Sequence, residues 1–280
     1  GEKYYCINHP SGLTVLVWEM DNYSTTHALF GTKYGSINTK FKTDEDADYV
    51  SVPEGIAHYL EHKLFENEDC DVFSLYAKTG ASANAYTSFD KTCYLFSCTD
   101  NYEESLRILL DFVQKPYFTK ETVEKEQGII GQEIRMYEDD PNWRVFFNML
   151  MGVYHNHPVR IDIAGTVESI AKIDADLLYR CYNTFYNLNN MFLSIAGNVD
   201  VDKVIEICDE MLKPCKNHNL ETVFEEEPET VFERETVQNL EVATPLFNIG
   251  FKAKSENGRA GLKADIETNI VLALLADDSS

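Results

Sequence analysis

The sequence predicts an α+β fold, a largely antiparallel sheet covered by helices, and three observations carry that prediction. Short runs of strand character at residues 13–18, 26–34, 93–98 and 191–197 segregate from helical runs at 52–65, 70–78, 102–114, 119–137, 174–186 and 202–212. Alternating residues from Asn84 to Thr87, followed by Ser88, Phe89 and the run Thr92 to Phe96, describe two antiparallel strands turning near Asp90 and Lys91. The chain is also large: 280 residues at 44% hydrophobic content bury a substantial core and exceed a typical single domain.

Each element has a local cause. The helix at 52–65 starts after Ser51 with Pro53 near its first turn and Glu54 close to the positive end of its dipole; Gly55 and Ala57 are small enough for close packing. Thr119 is a good N-cap for the long helix at 119–137, and Asp174 caps the helix at 174–186. Residues 213–230 hold Pro214, Pro228 and an acid cluster with little apolar periodicity, so they read as a linker between a first domain, 1–212, and a second, 231–280. Runs at 231–242, 244–252 and 263–276 echo the strand, strand and helix order of residues 13–65. By that repeat the second domain is only begun, and the chain is expected to be an N-terminal fragment.

Chemistry concentrates at His58-Tyr59-Leu60-Glu61-His62. On a helix, positions i, i+3 and i+4 share a face and a four-residue step rises only ~6 Å, so both imidazoles can point at one ion with Glu61 beside them. Zinc takes imidazole and carboxylate ligands tetrahedrally, a catalytic site keeps one position open, and a neighbouring carboxylate can take a proton from water. His-x-x-Glu-His is the inverse of the commoner His-Glu-x-x-His zinc motif. A lone histidine on a helix is usually a surface or satisfied core residue; two at this spacing with a glutamate between are rarer. Later in the chain, Glu126 and Glu133 lie two turns apart beside Ile129, Ile130, Ile134 and Met136. On spacing alone they read as solvated helix-face acids, like Glu121 and Glu124.

Taken together, the His58 pentad, Gly80 to Thr87, Glu124-Lys125-Glu126 through Gln132 to Pro141, His157-Pro158 and Ile163 to Thr166 resemble the inverted-zincin metallopeptidases of the pitrilysin, insulin-degrading-enzyme and mitochondrial-processing-peptidase family. The wording is most similar to bacterial peptide-processing members. The resemblance implies a LuxS/processing-peptidase-like domain followed by the start of a related one. It also implies Zn2+ held by His58, His62 and Glu133, Glu61 as general base, and Glu126 orienting a ligand histidine. Asn84, Ala85 and Tyr86 would bind peptide substrate as an added β-strand, with Asn84 a candidate to hold the substrate carbonyl or the water. The implied partner is a paired homologous subunit or a second copy, and the implied reaction is endoproteolysis of oligopeptides or leader peptides. The competing readings are a noncatalytic peptidase-fold scaffold that binds peptide or protein, and a purely structural zinc site.

The net charge of −23, with acids clustered at 44–48, 66–71 and 221–235, argues against a nucleic-acid partner, whose phosphates want the opposite field. Most of it reads as a solvated exterior, although such a field also draws in basic peptides. No apolar run reaches membrane-spanning length, so no membrane partner is expected. Seven cysteines, an odd number without Cys-x-x-Cys spacing, fit reduced thiols in a cytoplasmic protein. His155 and His157 have metal-like spacing but are expected to be structural or capping residues.

Overall fold

Strands form where side chains alternate between a buried and an open face, and helices where apolar residues recur on one side. A computed structural model describes residues 3–68, 71–253 and 256–276. Its first strands are β1 (Tyr5–Asn8), β2 (Thr14–Glu19) and β3 (Thr26–Thr32), followed by the short β4 (Lys40–Thr43) and β5 (Val50–Ser51). Helices α1 (Ile56–Leu64) and α2 (Val72–Thr79) precede the hairpin of β6 (Ser82–Thr87) and β7 (Thr92–Cys98). A helical stretch follows, with α3 (Tyr102–Val113), α4 (Lys120–Asp139), α5 (Pro141–Val153), the one-turn α6 (Val167–Ile170) and α7 (Ala175–Phe185). The chain then runs through β8 (Met191–Gly197), α8 (Val201–Met211), β9 (Leu220–Thr222) and α9 (Gly258–Ala276). None of these helices is long and apolar enough to cross a membrane.

Six strands pair in the order β1-β2-β8-β3-β7-β6, and β4 is flanked by β5 and β9 in a separate three-stranded sheet. Every neighbouring pair in the large sheet is antiparallel except β2 with β8. One face of the large sheet carries Val15, Val17, Ala28, Phe30, Tyr94, Phe96, Leu193 and Ile195 into a core shared with Tyr59, Leu60 and Leu64 of α1 and Leu106, Leu109 and Leu110 of α3. Fully burying an aliphatic or aromatic side chain of this size contributes about 1.5–3 kcal/mol, so the sheet and helices are held mainly by this shared layer.

The start of α1 is set by a close crossing of two backbones. Gly55 adopts φ 85° at the N-terminus of α1, and a Cβ there would stand 2.3 Å from the Ala164 carbonyl oxygen. Gly165, at φ 74°, would place its own Cβ 2.6 Å from the Glu54 carbonyl oxygen. Ser169 Oγ donates to that same oxygen at 2.9 Å, which locks the loop after Ile161 against the first turn of α1.

Several expectations shift. α1 begins at Ile56 rather than at residue 52, because the left-handed Gly55 interrupts the helix. Cys70, expected to open the next helix, lies outside the described residues; α2 starts at Val72 with the Asp71 carboxylate accepting from Phe73 N. α5 was not anticipated, although Asp140 as N-cap followed by Pro141 at the first helical position is a recognisable start. The segment expected to be a free linker contributes β9, which pairs with β4.

The strands expected at 231–242 and 244–252 do not form among the described residues, because no neighbouring strand supplies a ladder. One backbone bond, Glu233 N to Gly152 O at 2.8 Å, ties this stretch to α5. A second tie is electrostatic. The Glu227 carboxylate accepts from the backbone N–H groups of His155, Asn156 and His157 at 2.7–2.8 Å and pairs with Lys252 Nζ.

Two outcomes follow from these contacts. Gly55→Ala forces a left-handed backbone onto an L side chain, costing about 1–2 kcal/mol before the clash with Ala164 is counted; chemical denaturation should show at least that loss, with metal affinity falling alongside it. Burial pushes the Glu227 carboxyl up, but Lys252 and the three N–H donors outweigh it and bring it to about 2. A depressed folded-state value contributes stability above the ordinary carboxylate range and loses it as pH falls toward 2. Hydrogen exchange at His155, Asn156 and His157 should therefore remain protected at pH 4 in the native chain and lose that protection in Glu227→Gln.

Candidate metal centre

Three donor side chains converge between α1 and α4. His58 and His62 project from one face of α1 with ring centroids 4.6 Å apart, and Glu133 faces them from α4. One ligand atom of each lies within 4.8 Å of the other two. Glu133 Oε2 stands 3.3 Å from His62 Nε2, and Glu133 Oε1 stands 3.7 Å from His58 Nε2. Atoms bound to one zinc at its usual 2.0–2.2 Å with tetrahedral angles are about 3.3–3.6 Å apart, so the donor set fits such an ion. His58 supports the same conclusion, since its ring is buried and turns Nε2 toward Glu133 across the gap between the two helices. It is not the satisfied core histidine that a lone helical histidine usually is.

The two acids on α4 are equally distinct from solvated helix-face residues. Their side chains are 13% (Glu126) and 22% (Glu133) exposed, whereas Glu124 is 65% exposed. Glu126 Oε1 lies 2.9 Å from His62 Nδ1, a contact that holds the proton on Nδ1 and leaves Nε2 to face Glu133. Glu61 is adjacent, with its Oε2 accepting from Thr87 Oγ1 at 2.8 Å. The Tyr137 hydroxyl, one turn beyond Glu133 on α4, donates to Glu133 Oε1 at 2.6 Å.

Electrostatics separate the groups. Burial, with the neighbouring His62 charge, pushes His58 down to about 4. Burial also opposes charge on His62, but its hydrogen bonds to Glu126 and Glu133 prevail and raise it to about 10. Glu133 is drawn down to about 2, chiefly by its hydrogen bond with His62. Burial raises Glu61 despite the Thr87 hydrogen bond. So raised, His62 carries a second proton, on Nε2 facing Glu133, and a cation binding at Nε2 must displace it.

Asn84, Ala85 and Tyr86 occupy β6, the edge strand of the large sheet, outside the ligand cluster. Ser88 N bonds Lys91 O at 2.8 Å, and the register Thr87 to Thr92 through Ser82 to Ser97 follows from it. In an antiparallel pair with that register, Ala83, Ala85 and Thr87 turn their backbone groups outward. Ala85 N–H, on that free edge, is met by Asn84 Oδ1 at 2.9 Å. Asn84 therefore places its carboxamide at the edge rather than among the ligands, and Tyr86 is 39% exposed. Thr87 and Tyr137 went unnominated in the sequence. The i, i+4 spacing of Tyr137 from Glu133 was the available signal; for Thr87 only the hairpin register supplies one. His155 and His157 take structural roles: His157 Nδ1 accepts from Val159 N, and His155 packs edge-on to Phe232.

Known proteins resemble the chain throughout. Residues 50–167 match the family described as Insulinase (Peptidase family M16), and residues 172–277 match the Peptidase M16 inactive domain. An uncharacterized zinc protease of Bacillus subtilis (strain 168), YmfH, is 48% identical over 284 residues, covering 100% of this chain and 66% of that protein. Mitochondrial-processing peptidase subunit beta of Caenorhabditis elegans is 28% identical over 179 residues, covering 61% of this chain and 38% of that one. Among solved structures, a putative M16-like peptidase from Alicyclobacillus acidocaldarius superposes with a TM-score of 0.80 at 42% identity, over 83% of this chain and 55% of that one. A protease from Helicobacter pylori shares the fold at a TM-score of 0.72 and 21% identity, over 81% of this chain and 55% of that one. The chain spans about two thirds or less of the length of the curated relatives it matches. On these matches it belongs to the insulinase, or M16, family of zinc-dependent peptidases.

Proposed function

We propose that this chain supplies the metal-binding half of a zinc endopeptidase that hydrolyses oligopeptides or leader peptides. The observation that carries the reading is the convergence of His58, His62 and Glu133 to within 4.8 Å, with Glu61 on the same helix as both imidazoles. A bound zinc ion supplies a water of near-neutral pKa and polarises the scissile carbonyl. Glu61, with one oxygen held by Thr87, would keep the other free to accept a proton from water and to return it to the departing amine. Its buried setting, which raises its carboxyl, suits a group that must both take and release a proton. Glu126 keeps His62 in the tautomer that offers Nε2.

The free edge of β6 accepts the peptide as an additional strand, so recognition is through backbone hydrogen bonds and makes little demand on substrate side chains. The groups that complete the substrate clamp come from a second homologous half, in the same protein or in a paired subunit, as M16 proteins often pair two such halves. A cytoplasmic setting suits the six described cysteines, all of them free thiols.

Two substitutions in the intact protein test the reading. Glu61→Gln should lower kcat for peptide cleavage by about 10²–10⁴-fold while the protein still binds one zinc. Glu133→Gln should lose stoichiometric zinc and activity together, with the metal-free fold retained by circular dichroism. Undiminished cleavage by Glu61→Gln overturns the proton role. Native protein that holds no stoichiometric zinc favours instead a noncatalytic scaffold for partner binding.

A further inference from the structure

The two oxygens of Glu133 are not equivalent. Oε2 faces His62 Nε2 at 3.3 Å, whereas Oε1, 3.7 Å from His58 Nε2, already accepts the Tyr137 hydroxyl at 2.6 Å. Tyr137 is itself held. Its ring stacks on Trp143 with centroids 4.4 Å apart and planes 14° from parallel. Trp143 Nε1 donates to Asp162 Oδ2 at 2.5 Å, and Asp162 Oδ1 accepts from Ala164 N at 3.0 Å. The break between α4 and α5 makes this possible, because Asp140 ends one helix and caps the next, letting Trp143 fold back over Tyr137.

The far end of the chain of contacts is equally informative. Asp162 sits three residues before Gly165, in the loop whose backbone crosses Gly55 and Glu54 at the start of α1. A single loop therefore braces both helices that carry ligands. It sets where α1 begins, two residues before His58, and through Trp143 and Tyr137 it sets how Glu133 is turned.

Resting on the zinc reading above, we propose that Tyr137, Trp143 and Asp162 are positioning residues that reserve Glu133 Oε1 for a hydrogen bond and present only Oε2 to the metal. A carboxylate free to turn can chelate through both oxygens and fill the coordination position that water and the substrate carbonyl require. A short hydrogen bond to a carboxylate is charge-assisted and among the stronger kind, and the stacked indole removes the rotational freedom of the phenol that makes it. With Oε1 so engaged, Glu133 would offer a metal held by His58 and His62 a single oxygen, leaving a position for water. Tyr137 touches neither substrate nor metal in this scheme; it acts through Glu133.

The test uses cobalt as the probe, in the intact protein, because the intensity of its visible absorption reports coordination number without any need for turnover. Native protein should bind one Co2+ with the strong visible bands of a four-coordinate ion. Tyr137→Phe, which keeps the ring and its stack, should bind cobalt about 10–100-fold more weakly and show the fainter bands of a five-coordinate ion. Trp143→Phe, which loses the N–H to Asp162, should move both readouts in the same direction by less. If native protein binds cobalt and both variants match it in affinity and spectrum, the relay is overturned while the metal reading stands. A lowered melting temperature with an unchanged cobalt spectrum assigns Tyr137 a merely structural part and equally overturns it. Native protein that binds no cobalt overturns the metal reading, and the relay with it.

Discussion

The packing of α1 against α4 is the constraint on which the rest of the site depends, because one helix carries two nitrogen donors and the other the carboxylate. It is stitched along its length by polar side chains rather than by apolar contact alone. The Tyr59 hydroxyl donates to Val123 O at 2.5 Å, and Lys63 Nζ reaches Glu66 Oε2 at 2.6 Å and Thr122 O at 3.4 Å. Tyr59 and Lys63 are one turn apart and both grip the first turns of α4, while His62 meets Glu126 and Glu133 further along it. The Lys63 side chain is completely buried, so its charge is tolerable only with these partners. The same contacts that satisfy it fix the axial register between the helices, and a slip of one residue on either would turn a ligand away.

Much of this was legible in the residues themselves. The pentad at His58, the cap at Thr119, the cap at Asp174 and the hairpin around Asp90 rest on local rules of spacing and capping, and local rules survive folding. Glu126 and Glu133 were harder. Their spacing alone described a solvated face, and only the resemblance to a metallopeptidase family lifted them above that reading; the reason they are buried is a helix 60 or more residues earlier. The start of α1 was misplaced because Pro53 and Glu54 look like a first turn, while the left-handed Gly55 is dictated by contact with Ala164. Residues 231–252 have strand-like composition but find no ladder within the described chain, and composition does not report a missing neighbour.

The strong negative charge also takes on a clearer meaning. Three of its carboxylates, Glu61, Glu126 and Glu133, are withdrawn from bulk water around the two imidazoles, with hydroxyl donors from Thr87 and Tyr137 beside them. Such an arrangement costs folding free energy when left uncompensated, and a divalent cation compensates it directly. Metal affinity and fold stability are therefore coupled quantities in this protein.

The single parallel pairing, β2 with β8, has a consequence for the order in which the molecule can be assembled. β8 lies between β2 and β3, so two strands made early are not joined into one sheet until a strand made some 160 residues later slides between them. During synthesis the β6–β7 hairpin and β3 can pair, and α1 can rest on them, but β1 and β2 must wait for the ribosome to pass Gly197. Until then the growing chain carries an unfinished sheet whose open edge belongs to β3 and whose future occupant is not yet made. Metal capture early in synthesis would tie α1 to α4 on a platform still missing half of its strands.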